Sequence, residues 1–157
     1  MRSRSSSFVI GHTASGNPLS CGVGAAVLSY ILDNGLIENA AADGQYFKER
    51  LRELALRHEM VGDVRGLGLL LGVELVRNRA TKEPFPPAWR VSTRVGNATL
   101  ARGLVSYPGA WTADGVAGDH LLYAPPLIVN RDRVDDIVRI LDQSLSAVAA
   151  DLMAVQG

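Results

Sequence analysis

The chain has 157 residues, which is enough for one domain with a substantial core but hardly enough for two. It is 47% hydrophobic and 20% charged, and sixteen basic residues balance sixteen acidic ones. This composition indicates a globular protein and offers no basic surplus that would point to nucleic acid or to an anionic membrane.

Cysteine content and hydropathy exclude further kinds of site and segment. The single cysteine, Cys21, excludes an intramolecular disulfide and a cysteine metal cluster, and we expect it to be a buried helix residue. No metal site is predicted. No apolar stretch has the length of a signal-peptide core or a membrane span, so we expect a cytoplasmic protein without membrane contact.

The first predicted elements are a short strand at 8–10, a turn at 11–17 and a helix at 18–33. Proline is well placed at the start of that helix, since its missing N–H would have no helical partner there. A glycine-rich turn that ends at a helix N-terminus can offer N–H and hydroxyl groups to an anion, although most such turns are plain connections. Small and apolar residues along the helix predict that it is buried.

The remaining elements follow in chain order. Apolar spacing predicts a second helix at 36–59, a strand, glycine turn and longer strand within 60–76, and a third helix at 88–101. Strands at 104–107 and 120–124 and a last helix at 133–153 complete the chain. The order predicts an α/β (α+β-like) fold, with a small mixed or antiparallel sheet covered by helices on one face.

Three local patterns invite a functional interpretation. Gly66-Leu67-Gly68 fails as a dinucleotide fingerprint, because Leu71 occupies the place of the third glycine and a strand follows instead of a helix. Arg65 and Glu74 interrupt an apolar run, and each is either an edge or pairing residue or part of a site. Trp111, on a glycine-rich loop, either fills a ligand cavity or anchors the loop, and we favour the anchor.

Three blocks of the sequence resemble the class III aminotransferases, which are pyridoxal-phosphate enzymes of fold type I. They are Gly-His-Thr-Ala-Ser-Gly-Asn-Pro-Leu at 11–19, the Arg-Gly-x-Gly run within 63–74, and Gly-Asp-His-Leu-Leu-Tyr-Ala-Pro-Pro-Leu-Ile at 118–128. Tyr-Pro-Gly at 107–109 is similar to the subgroup that acts on ω-amino acids and related amines. The blocks occur in the family's order and span nearly the whole chain.

The resemblance implies the C-terminal small domain of that fold, at 36–157, preceded by the domain-connecting helix at 18–35 and the end of the large domain at 1–17. It implies pyridoxal 5'-phosphate as cofactor, and an amino donor and a 2-oxo acid as substrates. It also implies a homodimer or a large-domain partner chain. Thr13, with His12 beside it, would contact the cofactor phosphate, the Thr13 hydroxyl donating to the phosphate held by the partner subunit.

The catalytic part of the family pattern is missing from the sequence. A transaminase needs a lysine that forms a Schiff base with the cofactor, and in the family this lysine lies upstream of the segment matching Thr13. The two lysines here, Lys48 on a polar helix face and Lys82 in a proline-rich loop, do not resemble that setting. We therefore expect no catalytic residue in this chain and no activity from the chain alone.

The substrate side of the pattern departs as well. Relatives often carry an arginine near the turn that matches Gly118, where it can bind a carboxylate, but no arginine lies between Arg102 and Arg131. Two other interpretations stay open: a truncated, non-catalytic remnant or interaction module, and an unrelated phosphate-binding domain supported only by the turn at 11–18.

Overall fold

The structure, a computed structural model, describes residues 11, 13 and 15–156. The predicted strand at 8–10 and the predicted site residue His12 lie outside the described residues. In chain order the elements are α1 (Pro18–Asp33), α2 (Leu36–Arg57), β1 (Val61–Leu67), β2 (Leu70–Leu75), a 3₁₀ turn (Pro87–Trp89), α3 (Val91–Leu100), β3 (Tyr107–Ala110), β4 (Asp119–Tyr123) and α4 (Arg131–Gln156).

The chain divides into two units, Met1–Leu36 and Ile37–Gly157. The first unit contains α1, all of whose residues are described, and none of them is buried. Its apolar residues lie on every side of the helix, so α1 has no single face to offer to a core. The predictions that α1 and Cys21 are buried are wrong, since Cys21 is exposed.

The second unit is built on a four-stranded sheet of order β1-β2-β4-β3. Every neighbouring pair is antiparallel, which decides between the mixed and antiparallel alternatives. Alternation along β2 places Leu71, Val73 and Leu75 on one face, and Val73 pairs with Leu121 of β4. These four side chains are fully buried, so one sheet face forms the floor of the core.

Helices α2 and α4 complete that core with the residues that the helical spacing predicts. In α2, Phe47, Leu51 and Leu54 are fully buried, and the Phe47 ring meets Tyr123 edge-on with centroids 6.0 Å apart. The buried apolar residues of α4 recur every three or four positions and are Val134, Val138, Leu141, Leu145, Val148 and Leu152.

The segment between β2 and β4 differs from its prediction in two places. The single helix predicted at 88–101 is interrupted at Arg90, whose backbone is left-handed with φ 47° and ψ 48°, so α3 begins only at Val91. The strand predicted at 104–107 lies at Tyr107–Ala110. Pro108 is tolerated there because β3 is an edge strand, and its ring faces Gly96 of α3, where an added Cβ would lie 3.1 Å from Pro108 Cγ.

No single helix in the described part of the chain is both long and apolar enough to cross a membrane; only α1 and α2 taken together reach that length and composition.

Candidate functional site

The turn before α1 carries the predicted phosphate contact. Thr13 is exposed, and Gly16 takes a left-handed backbone with φ 76° that favours glycine. Pro18 follows at the first helical position, and Asn17 caps the helix by accepting the Ser20 N–H at 3.1 Å. Among the described residues nothing accepts or donates a hydrogen bond at the Thr13 hydroxyl.

The helix N-terminus itself offers little to an anion. Pro18 has no N–H, the Ser20 N–H is taken by the Asn17 side chain, and the Cys21 N–H donates to the Asn17 carbonyl at 2.9 Å. An anion at this turn therefore depends on the hydroxyl of Thr13 more than on the orphan N–H groups of α1.

The two lysines are both engaged with backbone carbonyl oxygens. Lys48 Nζ donates to Gly66 O at 2.9 Å, across the gap between α2 and β1. Lys82 Nζ donates to Gly62 O and lies 3.8 Å from Glu74 Oε2. Both amines are therefore engaged with neighbouring oxygen atoms and are not presented as free nucleophiles to a carbonyl compound.

Arg65 and Glu74 pair with each other on the β1–β2 hairpin. Arg65 Nη2 donates to Glu74 Oε1 at 3.0 Å, and Arg65 Nη1 lies 3.4 Å from Asp63 Oδ2. Asp63 is the residue that faces Glu74 in the antiparallel register. Arg65 thus bridges two carboxylates that would otherwise oppose each other, as the pairing interpretation predicts.

A cleft of 680 Å³ lies in the second unit, between the start of α3 and the loop 111–118; we call it the α3 cleft. It is lined by residues of three separate segments: Pro87, Arg90, Ser92, Thr93, Tyr107, Pro108, Gly109, Ala110, Trp111, Val116, Ala117, Gly118, Asp119 and His120. Trp111 lines this cleft with 68% of its surface exposed, so the prediction that it anchors its loop is wrong.

The loop 111–118 is held by hydrogen bonds between its own residues. Asp114 accepts the N–H groups of Val116 and Ala117 at 2.8 and 2.7 Å, and the pKa of Asp114 is lowered by these two donors, that of Ala117 first. The Ala113 N–H donates to the Ala117 carbonyl at 3.0 Å. Gly118 turns the chain with φ 108°, where a Cβ would lie 2.6 Å from Ala113 N. The loop thus has a defined shape.

A second charged region joins α2 to α4 on the surface. Asp135 accepts from Arg50 Nε at 2.9 Å and from the Tyr46 hydroxyl at 3.0 Å, and these hydrogen bonds, that of Arg50 first, lower the pKa of Asp135. Arg131 lies over the Tyr46 ring at 4.9 Å. Within the described ranges, no three His, Cys, Asp or Glu side chains are placed to hold a metal ion.

Comparison with known proteins identifies the family. The family model "Aminotransferase class-III" matches residues 2–145 of the chain. The chain belongs to the class-III aminotransferases. As an aminotransferase of this class, it is 38% identical over 140 residues to an uncharacterised aminotransferase of Schizosaccharomyces pombe, covering 89% of this chain and 30% of that protein.

Two further relatives bear on reaction and fold. The isoleucine 2-epimerase of Lentilactobacillus buchneri is 38% identical over 136 residues, which are 87% of this chain and 28% of that protein. A solved transaminase from the marine bacterium Virgibacillus matches with a TM-score of 0.84 and 31% identity, over 91% of this chain and 31% of that one. The predicted fold is confirmed, and the chain spans about 30% of the length of the relatives it matches.

Proposed function

We propose that this chain is the C-terminal portion of a pyridoxal-phosphate-dependent aminotransferase that transfers an amino group between an amino acid or amine and a 2-oxo acid. The observation that carries the proposal is the family match over residues 2–145, which corresponds to less than a third of each relative. The division into Met1–Leu36 and Ile37–Gly157 supports a domain plan of a large-domain end at 1–17, a connecting helix at 18–35 and a small domain at 36–157. The cytoplasm stays the predicted compartment.

The chemistry of the cofactor sets what this chain has to supply. Pyridoxal phosphate, when bound, supplies the electron sink on which transamination depends. Thr13 fits the role of a phosphate ligand, because its hydroxyl is exposed and unengaged among the described residues. In the proposed dimer it donates to a phosphate oxygen of the cofactor held by a neighbouring subunit, with His12 beside it.

The lysines support the view that the reactive half of the site lies elsewhere. Lys48 and Lys82 both donate to carbonyl oxygens of β1, so neither amine is free to react with a carbonyl compound. We therefore propose that the 157 residues alone are inactive and that a large domain supplies the Schiff-base lysine, from a homodimer partner or a separate chain.

The alternative is a truncated, non-catalytic remnant or interaction module of the same family. The relative named isoleucine 2-epimerase matches this region as well as the aminotransferases do, so the family match alone does not choose the reaction. We propose transamination because the solved structure from Virgibacillus that matches the chain is a transaminase.

A complementation experiment tests the proposal. The chain is mixed with a large-domain fragment of a class-III aminotransferase that carries the lysine and cofactor, and amino transfer to a 2-oxo acid is measured. We expect a complex with restored activity. Thr13→Ala should weaken cofactor retention about tenfold by removing one hydrogen bond to a charged phosphate, whereas Thr13→Ser should retain it.

Thr81→Ala serves as the matched control, because Thr81 is another exposed threonine, in the loop before α3. Cofactor retention should be unchanged in that variant. A complex that forms without activity, or no complex at all, would favour the remnant.

A further inference from the structure

The α3 cleft contains one cationic side chain without a partner. Arg90 lines the cleft, is exposed, and makes no side-chain hydrogen bond or ion pair with any described residue. Almost every other described arginine is engaged with a carboxylate or a carbonyl; the exception is Arg52, on the outer face of α2. The guanidinium of Arg90 is therefore a bidentate donor at the edge of the α3 cleft, free of partners among the described residues.

The other titratable groups of the cleft leave that charge uncompensated. Asp119 is only 5% exposed, and its Oδ1 accepts the Ser92 N–H at 2.8 Å, so its charge is held at the N-terminus of α3. His120 is half-buried, with its Nδ1 3.4 Å from Thr112 Oγ1. An anion that enters the cleft meets Arg90 without displacing an existing partner.

Local stability does not account for arginine at position 90. Its left-handed backbone, with φ 47°, costs a non-glycine residue energy, and its place before α3 is one where Ser, Thr, Asp or Asn would cap the helix. Arg90 provides no side-chain cap. The backbone is fixed on both sides, since the Arg90 N–H donates to Pro87 O at 3.2 Å and the Arg94 N–H donates to Arg90 O at 3.0 Å.

The opposite walls of the cleft are apolar and exposed. Tyr107 and Trp111 expose 69% and 68% of their surfaces, and Val116 exposes 65%. Trp111 also has a left-handed backbone, with φ 65°, so its position is held by the loop rather than by local preference. A volume of 680 Å³ lies in the range of small-molecule sites, roughly 300–1,000 Å³.

We propose that the α3 cleft binds a small organic carboxylate with an apolar or aromatic body, and that Arg90 binds the carboxylate while Tyr107 and Trp111 contact the body. The identification of this carboxylate as that of an amino acid or 2-oxo acid rests on the proposed function. The proposed binding site in this chain does not rest on it.

Calorimetric titration of the whole 157-residue chain tests the proposal with two matched probes, 3-phenylpropanoate and its neutral amide, 3-phenylpropanamide. We expect the acid to bind about tenfold more tightly than the amide, because only the acid makes charge-assisted hydrogen bonds to a guanidinium. Arg90→Gln should remove that tenfold preference and leave amide binding unchanged. Trp111→Ala should weaken both probes to a similar extent.

Arg52→Gln is the matched control, since Arg52 is the other exposed arginine without a side-chain partner in the described part of the chain. It should keep the preference for the acid. Equal binding of acid and amide to the unmodified chain, or an equal loss of preference in Arg52→Gln and Arg90→Gln, would overturn the proposal.

A measurement on the unmodified chain tests the same proposal without depending on whether a variant folds. The NMR signals of the Trp111 indole N–H and the Arg90 Nε–H should shift on addition of 3-phenylpropanoate, while the Trp89 indole N–H shifts less. Absence of a shift at Arg90 would overturn the proposal without reference to any variant. Either negative result leaves the complementation experiment untouched, so failure of the cleft and failure of the proposed function are distinguishable.

Discussion

Helices α1 and α4 are both rich in apolar residues, but only α4 buries them. Leu141 and Leu145 of α4 are fully buried, whereas Leu19 and Leu28 of α1 expose 77% and 58% of their surfaces. The apolar residues of α4 recur on one face, and those of α1 surround the helix. Apolar composition therefore predicts burial only when a face and a partner surface exist together.

The ends of α1 and α2 are also held by different kinds of contact. α1 is capped by its own neighbours, with Asn17 accepting at the start and Asn34 Nδ2 donating to Tyr30 O at 2.8 Å at the end. The end of α2 is held from a distance by Arg79, whose Nη2 donates to the carbonyls of Ala55 and His58. Local caps make α1 a helix, while tertiary contacts make α2 part of a core.

Truncation of one buried and one exposed leucine tests the difference between α4 and α1, with the largest expected effect. Leu145→Ala should lower the free energy of unfolding by about 2–5 kcal/mol, because it leaves a cavity in the core. Leu28→Ala should change it by less than about 0.5 kcal/mol. Urea titration followed by circular dichroism measures both. A loss for Leu28→Ala comparable to that for Leu145→Ala would mean that α1 is packed in solution.

Removal of the long-range cap should have the next largest effect. Arg79→Met removes the guanidinium hydrogen bonds to the carbonyls of Ala55, His58 and Val61 and should cost about 1.5–3 kcal/mol of unfolding free energy. Arg77→Met removes only an exposed pair with Glu83 at 3.3 Å, and should cost less than about 1 kcal/mol. Equal losses in the same urea titration would show that Arg79 does not hold the end of α2.

Two asparagine caps of the same chemistry sharpen the contrast between α1 and α4. Asn130 Oδ1 accepts the Arg133 N–H at 3.1 Å, at the start of α4. Asn130→Ala should lower the free energy of global unfolding by about 1 kcal/mol, because α4 is part of the core. Asn17→Ala should leave that free energy unchanged and instead speed amide hydrogen exchange within α1. A fall in global stability for Asn17→Ala would contradict the separation of the two helices.

The smallest expected effect concerns pH. The pKa of Asp135 is lowered in the folded chain, so its contribution to stability is present above the unfolded carboxyl pKa, about 3.9, and is lost as pH falls through the lower folded value. The unfolding free energy should therefore fall less steeply below about pH 4 in Asp135→Asn than in the unmodified chain. A pH profile of Asp135→Asn that runs parallel to that of the unmodified chain would contradict the assignment.

Much of the fold follows from periodicity in the sequence. The repeat of Val134 to Leu152 predicts α4 and its buried face, and the alternation of Leu71, Val73 and Leu75 predicts β2. The composition of α1 predicts a buried helix, but the helix is exposed, because burial depends on a partner surface as well as on composition. The break at Arg90 and the position of β3 were missed because they depend on tertiary contacts, such as Pro108 against Gly96.

The candidate site likewise has one part that the sequence predicts and one part that it does not. Residue order within one turn predicts a phosphate contact at Thr13, and the structure adds that the N–H groups of Ser20 and Cys21 at the start of α1 are occupied. The α3 cleft was missed because its lining comes from three segments, around Arg90, Tyr107 and Gly118, with no shared local pattern. Arg90 itself gives no signal in the sequence, because the start of α3 at Val91 is seen only in the structure.

The central claim is that the reactive lysine of the aminotransferase site is supplied from outside these 157 residues. Incubation with pyridoxal phosphate, reduction with borohydride and peptide mass spectrometry test it most directly, with the mixture of chain and large-domain fragment as positive control. The account predicts cofactor fixed to the lysine of the large domain and none fixed to the chain alone. Stoichiometric cofactor on Lys48 or Lys82 of the isolated chain would contradict it.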